Sequence, residues 1–134
     1  MAANRWLLKT EPSTYSFADL VRDGRTTWDG VSNPVALKHL RTMRKGDEAL
    51  IYHTGEEKAI VGVARIASEP YPDPRAGDPK LVVVELEPVR PLSKPIPLAA
   101  VKADRRFAQF ELVRIPRLSV LPVPAALWAG LLAL

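Results

Sequence analysis

The chain has 134 residues, enough for one domain with a real core and hardly for two. Its composition is that of a globular protein, 47% hydrophobic and 25% charged, with a formal net charge of +4. The absence of cysteine excludes disulfides, thiol nucleophiles, thiolate zinc sites and iron–sulfur clusters. Thirteen prolines speak against a helical bundle, because proline breaks helix interiors.

The charge forms no basic tail and no acidic block. A mild positive excess is compatible with a polyanionic partner and is shared by many unrelated proteins. The segment Met1–Lys9 holds too short an apolar run for a signal peptide. The apolar stretch Ala125–Leu134 is far short of the roughly 20 residues that span a bilayer. A single domain over residues 1–134, cytoplasmic and monomeric, is the expectation.

In chain order, Arg5–Thr10 reads as a first strand, with Trp6 and Leu8 on one face and Leu7 on the other. Ser16 and Asp19 make a capping box, Tyr15 and Leu20 sit where a hydrophobic staple belongs, and Gly24 ends that short helix. A second helix is predicted over Asn33–Lys45, with Asn33 as N-cap, Pro34 at N1 and Gly46 at C′. Its buried stripe is Ala36, Leu40 and Met43; Lys38, Arg41 and Lys45 line the other side, with Arg44 beside them.

Strands follow at Glu48–Thr54, Ile60–Ile66 and Leu81–Leu86. Gly62 suggests a bulge or a close backbone approach. Between the last two runs, Glu69–Pro79 carries four prolines, which predict an extended, stiff loop without regular structure. Pro91, Pro95 and Pro97 mark another extended crossing. Short helices are predicted over Leu98–Asp104 and Arg105–Leu112, then a strand over Leu118–Val123. Pro124 opens a closing helix at N1, with Ala125, Trp128, Leu131 and Leu132 as its buried face. Five or six strands with small helices make an α+β domain, most simply a small barrel with helices at its ends.

Little catalytic chemistry is available. His39 and His53 lie on different elements and at no metal-binding spacing, so no metal is expected. No glycine-rich nucleotide loop and no GxSxG elbow occurs. What remains is a set of aromatic and polar residues near strand ends. A planar heteroaromatic ligand needs π-faces to stack on and hydrogen-bonding groups for its edge. Trp28, Tyr52 and Tyr71 could supply the first; Thr10, Glu11, Asn33, His53 and Asp73 the second. The competing reading is that aromatics fill cores. Trp6, Phe17, Phe107, Phe110 and Trp128 belong to the core on that basis.

The strings Trp6-Leu-Leu-Lys-Thr-Glu-Pro12, Thr27-Trp-Asp-Gly-Val31, Tyr52-His53, Ile60-Val-Gly62 and Tyr71-Pro-Asp-Pro74 occur in one collinear order. With Leu118-Ser-Val and Pro122-Val123 they resemble the EVE domain family of the PUA-like superfamily, from about Trp6 to Trp128. The resemblance implies a five- to six-stranded mixed β-barrel flanked by short helices. It also implies a non-catalytic pocket, without cofactor, for one modified base of DNA or RNA, such as a methylated cytosine. By resemblance the base-binding set is Lys9, Thr10, Glu11, Trp28, Asn33, Tyr52, His53, Thr54, Tyr71 and Asp73. Phosphate contacts are expected from Lys38, Arg41, Arg44 and Lys45. The chain departs from the family pattern at Thr10, Ser32, Pro34, Thr54 and Leu121, and its segment after Pro74 is short. Two alternatives stand beside this reading. One is an amidohydrolase acting on an acylated nucleoside through Lys9, Thr10 and Glu11. The other is an adaptor with a degenerate pocket.

Overall fold

The computed structural model describes residues 4–134. Arg5–Thr10 forms the first strand, β1, over the predicted span. Trp6, Leu7 and Leu8 are all buried, because β1 is covered on both faces. It pairs in parallel with β3 (Glu48–His53), Trp6 opposite Ala49 and Thr10 opposite His53, and antiparallel with β7 (Val120–Pro122). The remaining strands are β2 (Thr26–Trp28), β4 (Ala59–Ile66), β5 (Tyr71–Pro72) and β6 (Val82–Pro97). Six of them make one mixed sheet in the order β2-β6-β4-β3-β1-β7, curled into a half-barrel, and β5 adds to β6. This is the expected small mixed barrel of an α+β fold.

Helix α1 (Phe17–Asp23) has the predicted capping box and ends at Gly24 in the left-handed conformation, φ 74°. Beneath it, the β4 register shifts against β6 between Ile60 and Gly62, so Gly62 marks a bulge as expected. The ring of Phe17 covers Gly62 where a Cβ would stand 2.5 Å away, so this is also a close approach.

Helix α2 (Pro34–Thr42) starts as predicted, with the Asn33 side chain accepting the N–H groups of Val35 and Ala36. It stops short of Lys45, and Gly46 is not its C′ residue. Met43 turns extended and buries its side chain. The carboxylate of buried Asp47 then takes the Arg44 N–H at 3.0 Å, the Trp6 indole N–H at 2.9 Å and the Asn4 N–H at 3.2 Å. A buried carboxylate needs such donors, and supplying them here ends the helix. Gly46, at φ 98°, turns the chain into β3.

Two further expectations are corrected. Glu69–Pro79 is not wholly irregular: Tyr71 and Pro72 pair with Val83 and Val82. Leu81–Leu86 is only the start of a strand that runs through Pro88, Pro91, Pro95 and Pro97. Those prolines survive because β6 pairs with β4 across two register shifts, and the β2 pairing ends at Leu86. Proline at a bulge or an unpaired edge breaks no ladder bond.

Helices α3 (Leu98–Ala103) and α4 (Glu111–Arg114) flank a 3-10 turn over Arg105–Phe107. Helix α5 (Ala125–Leu132) uses Pro124 as N-cap, one position earlier than predicted, and buries Trp128 and Leu131 while Ala125 is exposed. Among the described residues no helix is long and apolar enough to cross a membrane.

Candidate nucleic-acid interface

The half-barrel does not close, and the gap is a cleft. Its volume is about 780 Å³. Thr26–Trp28 of β2 line it from one end of the sheet; Lys9 and Thr10 of β1, with Ser119 beside β7, line it from the other. The parallel pairing of β1 with β3 sets the end of β3 beside Thr10, just outside the lining.

Trp28 is buried and meets Tyr15 edge-on, ring centroids 6.5 Å apart. Together they offer an aromatic corner to the cleft. Tyr15 is held by its hydroxyl, which donates to Asp23 at 2.8 Å, and by its carbonyl, which accepts the Thr10 hydroxyl at 2.7 Å. Burial raises the Tyr15 pKa, so the ring stays neutral. Lys9 donates to the Pro116 carbonyl at 2.7 Å, and its Nζ lies 5.5 Å from the centre of the Tyr52 ring. Burial lowers its pKa, and one hydrogen bond leaves N–H donors for a ligand.

Arg25 and Arg75 add two guanidinium groups to the lining. Arg25 is anchored by Glu85, Nε to Oε1 at 2.6 Å, and reaches the Ala67 carbonyl at 3.4 Å. Arg75 projects from the loop after β5, where its N–H is taken by Asp73 at 2.9 Å. Three cations and two carboxylates, Asp29 and Glu85, thus line the cleft beside the aromatic corner, a small positive excess that suits a planar ligand carried on a phosphate backbone.

Of the residues expected to bind a base, Lys9, Thr10 and Trp28 line the cleft. Seven others lie outside the lining. Tyr52 is buried, with its ring beside Lys9. His53 accepts the Phe17 N–H on Nε2 at 3.0 Å and faces Glu57 through Nδ1 at 2.7 Å. Glu11 takes the Ser13 N–H at 3.0 Å and hydroxyl at 2.9 Å, which hold its carboxyl below the usual range. Thr54 donates to the Thr10 carbonyl at 3.3 Å. Asn33 caps α2, and Asp73 closes its own turn. Tyr71 stands directly behind the lining, its hydroxyl donating to Glu85 at 3.3 Å.

Lys38, Arg41, Arg44 and Lys45 are exposed on and just after α2, and none lines the cleft. Arg41 donates to the Lys80 carbonyl at 2.7 Å, and Arg44 to the Met43 carbonyl at 2.7 Å. Lys45 is tied by its backbone, its N–H donating to Glu69 at 3.0 Å.

Sequence reasoning missed Tyr15, Arg25, Arg75 and Glu85. Tyr15 carried a signal, as a staple next to the Lys9–Pro12 string. The other three become neighbours only through the β2–β6 and β5–β6 pairings.

The EVE domain family model matches residues 4–134. The chain belongs to the EVE domain family. Human thymocyte nuclear protein 1 is similar to this EVE domain at 32% identity, covering 75% of this chain and 56% of the human one. The chain thus spans little more than half the length of that curated relative. Among solved structures, the NMR structure of a Rhodopseudomonas palustris protein matches with TM-score 0.92 at 43% identity, over 97% of this chain and 91% of that one. A crystal structure of human THYN1 in complex with 5-methylcytosine-containing DNA matches with TM-score 0.89 at 29% identity, over 98% of this chain and 96% of that one.

Proposed function

We propose that this EVE domain is a reader of nucleic acid that takes one unpaired or flipped base, of the 5-methylcytosine type, into the cleft at the open edge of the sheet. The observation that carries the reading is the juxtaposition in one cleft of the Trp28–Tyr15 corner with Lys9, Arg25 and Arg75. The complex of human THYN1 with DNA containing 5-methylcytosine supports it. Stacking on Trp28 would contribute about 1–3 kcal/mol per base, enough to offset the few kcal/mol needed to unstack it from a duplex. Lys9 and Thr10 meet the base, Arg25 and Arg75 the backbone beside it. Lys38, Arg41, Arg44 and Lys45 extend phosphate contact beyond the cleft.

Four of the seven residues outside the lining act indirectly. Tyr52 seats Lys9; His53 holds the start of α1 and so Tyr15; Tyr71 and Asp73 place Glu85 and Arg75. Hydrolysis through Lys9, Thr10 and Glu11 finds no support in this geometry. Their polar ends go to Pro116, Tyr15 and Ser13, and Glu11 does not reach the cleft.

The test is fluorescence anisotropy with oligonucleotides differing only in one central base, cytosine or 5-methylcytosine. The methylated strand should bind more tightly, and Trp28→Ala should weaken binding about tenfold or more. Equal affinity for both strands, indifferent to Trp28, would sink the reading.

A further inference from the structure

The β7 side of the cleft ends in a turn that the base-binding reading leaves unused. Lys9 and Ser119, which both line the cleft, are neighbours at the end of the β1–β7 pair: the Lys9 N–H donates to the Ser119 carbonyl at 2.9 Å. Just before Ser119 the chain turns over Ile115–Leu118, closed by the Leu118 N–H donating to the Ile115 carbonyl at 3.1 Å. Pro116 takes the second position of this turn, where its fixed φ is favoured. The Lys9 ammonium ties the same turn to the cleft, donating to the Pro116 carbonyl at 2.7 Å. The turn is therefore anchored at the β1–β7 rim, whereas Arg25 and Arg75 belong to the β2–β6 side.

The composition of this turn is unlike that of the other exposed apolar sites. Ile115 keeps 40% of its surface accessible. Arg114 precedes it and Arg117 follows two residues later, both exposed. Neither guanidinium has a hydrogen bond or an ion pair among the described residues. Glu111, the acid closest to them in the chain, is turned to His39 at 3.9 Å. The other exposed large apolar residues are Val21, Val35 and Val89. Val21 adjoins Arg22, which is paired with Asp19 and Asp23. Val35 stands between Pro34 and Ala36, and Val89 has an arginine on one side only. A lone apolar residue on a surface needs no explanation. One set between two unpaired cations, on a turn tied to the cleft, calls for one.

We infer that this turn engages a nucleic-acid duplex: Arg114 and Arg117 hold phosphates beside the nucleotide that enters the cleft, and Ile115 fills the place its base vacates in the stack. The inference rests on the base-binding reading of the cleft. Drawing a base out of a duplex strips its neighbours of a stacking partner. Apolar side chains, Ile among them, enter such steps and replace part of the lost contact. Ile is stiff at χ1 and gives up little freedom on insertion. Lys9 couples the two events, because the ammonium that lines the pocket also holds the turn.

The experiment compares a duplex carrying one central 5-methylcytosine with the same methylated strand alone, which has no stack to fill. Ile115→Ser should weaken duplex binding at least about fivefold and leave single-strand affinity unchanged. Arg114→Ala and Arg117→Ala should each lower the salt slope on the duplex by about one. Val21→Ser, another exposed apolar residue, is the control and should change neither quantity. Urea midpoints of all variants are measured alongside. An equal loss on duplex and single strand would make the turn only a wall of the cleft. No loss on either would turn it away from nucleic acid. Both results overturn the inference and leave the base pocket standing. If methylated and unmethylated strands bind alike and Trp28→Ala changes nothing, the base-binding reading falls, and the wedge falls with it.

Discussion

The ring of Phe17 occupies the space that a side chain at position 62 would need: a Cβ on Gly62 would stand 2.5 Å from Cε1. Helix α1 therefore begins against bare β4 backbone. This contact sets how deeply α1 sits, and with it the position of Tyr15 two residues earlier. Gly62→Ala should destabilise the fold by about 1–3 kcal/mol through overpacking, read as a shift in urea midpoint at unchanged slope. Adding Phe17→Leu should recover part of the loss. No loss in the single variant would mean that α1 slides freely on β4.

The backbone of Phe17 is fixed as tightly as its ring. Its N–H donates to Nε2 of His53, so Nδ1 must carry the proton that faces Glu57. Nitrogen NMR should show this Nδ1–H tautomer at neutral pH. His53→Ala leaves a buried N–H without acceptor and should cost about 1–3 kcal/mol of stability. Base affinity measured under folding conditions should fall as well, since the Tyr15 wall loosens. A Nε2–H tautomer would contradict the hydrogen bond.

The basic residues should separate by salt dependence. Each phosphate contact removed lowers the slope of log affinity against log salt by about one. Arg75→Ala and Lys38→Ala should each show that change. Arg44→Ala should show less, because its guanidinium already serves the Met43 and Arg41 carbonyls at 2.7 and 3.2 Å. Equal slopes for all three variants would place the phosphates elsewhere.

Acid should destabilise the fold. Glu85 is depressed mainly by its Arg25 hydrogen bond, Asp19 by the Ser16 N–H and Asp104 by the Arg106 side chain. Folded carboxylates then bind protons less readily than unfolded ones. Their contribution is complete above the unfolded value, near 4, and is lost as pH falls through the lower folded values. Thermal melts between pH 7 and 3 should show a falling midpoint below about pH 4.5, shallower in Asp19→Asn. A midpoint that rises in acid would contradict the sign.

Pro72 and Pro74 flank Asp73, whose carboxylate turns the chain to present Arg75. Replacing both prolines by Ala should weaken binding several-fold by restoring freedom to the unbound loop, with the strands intact by circular dichroism. Unchanged affinity would make those prolines purely architectural.

Local rules carried much of this fold. Ser16 with Asp19, Asn33 with Pro34, and the apolar run of β1 each state their element within a few residues, and each started where predicted. Errors arose where a distant partner decides. Asp47, buried beside Trp6 and Asn4, takes the Arg44 N–H and so closes the end of α2. The prolines of β6 looked disruptive until β4 showed where its register shifts fall. The site divides in the same way. Lys9, Thr10 and Trp28 lie in recognisable strings. Arg25 and Glu85 are ordinary charges, 60 residues apart, until β2 pairs with β6.

The position of β1 between β3 and β7 has a consequence for biosynthesis. Within this domain the strand earliest in chain order is an interior strand, and its partners come from residues 48–53 and 120–122. Such distant pairings close late and slowly. Lys9 is seated by Pro116, and Ser119 forms the wall beside it. A nascent chain therefore carries α1, α2 and most of the sheet long before it carries a finished cleft. Until then the β7-facing edge of β1 stays uncovered on the ribosome, where a chaperone or a premature neighbour would find it first.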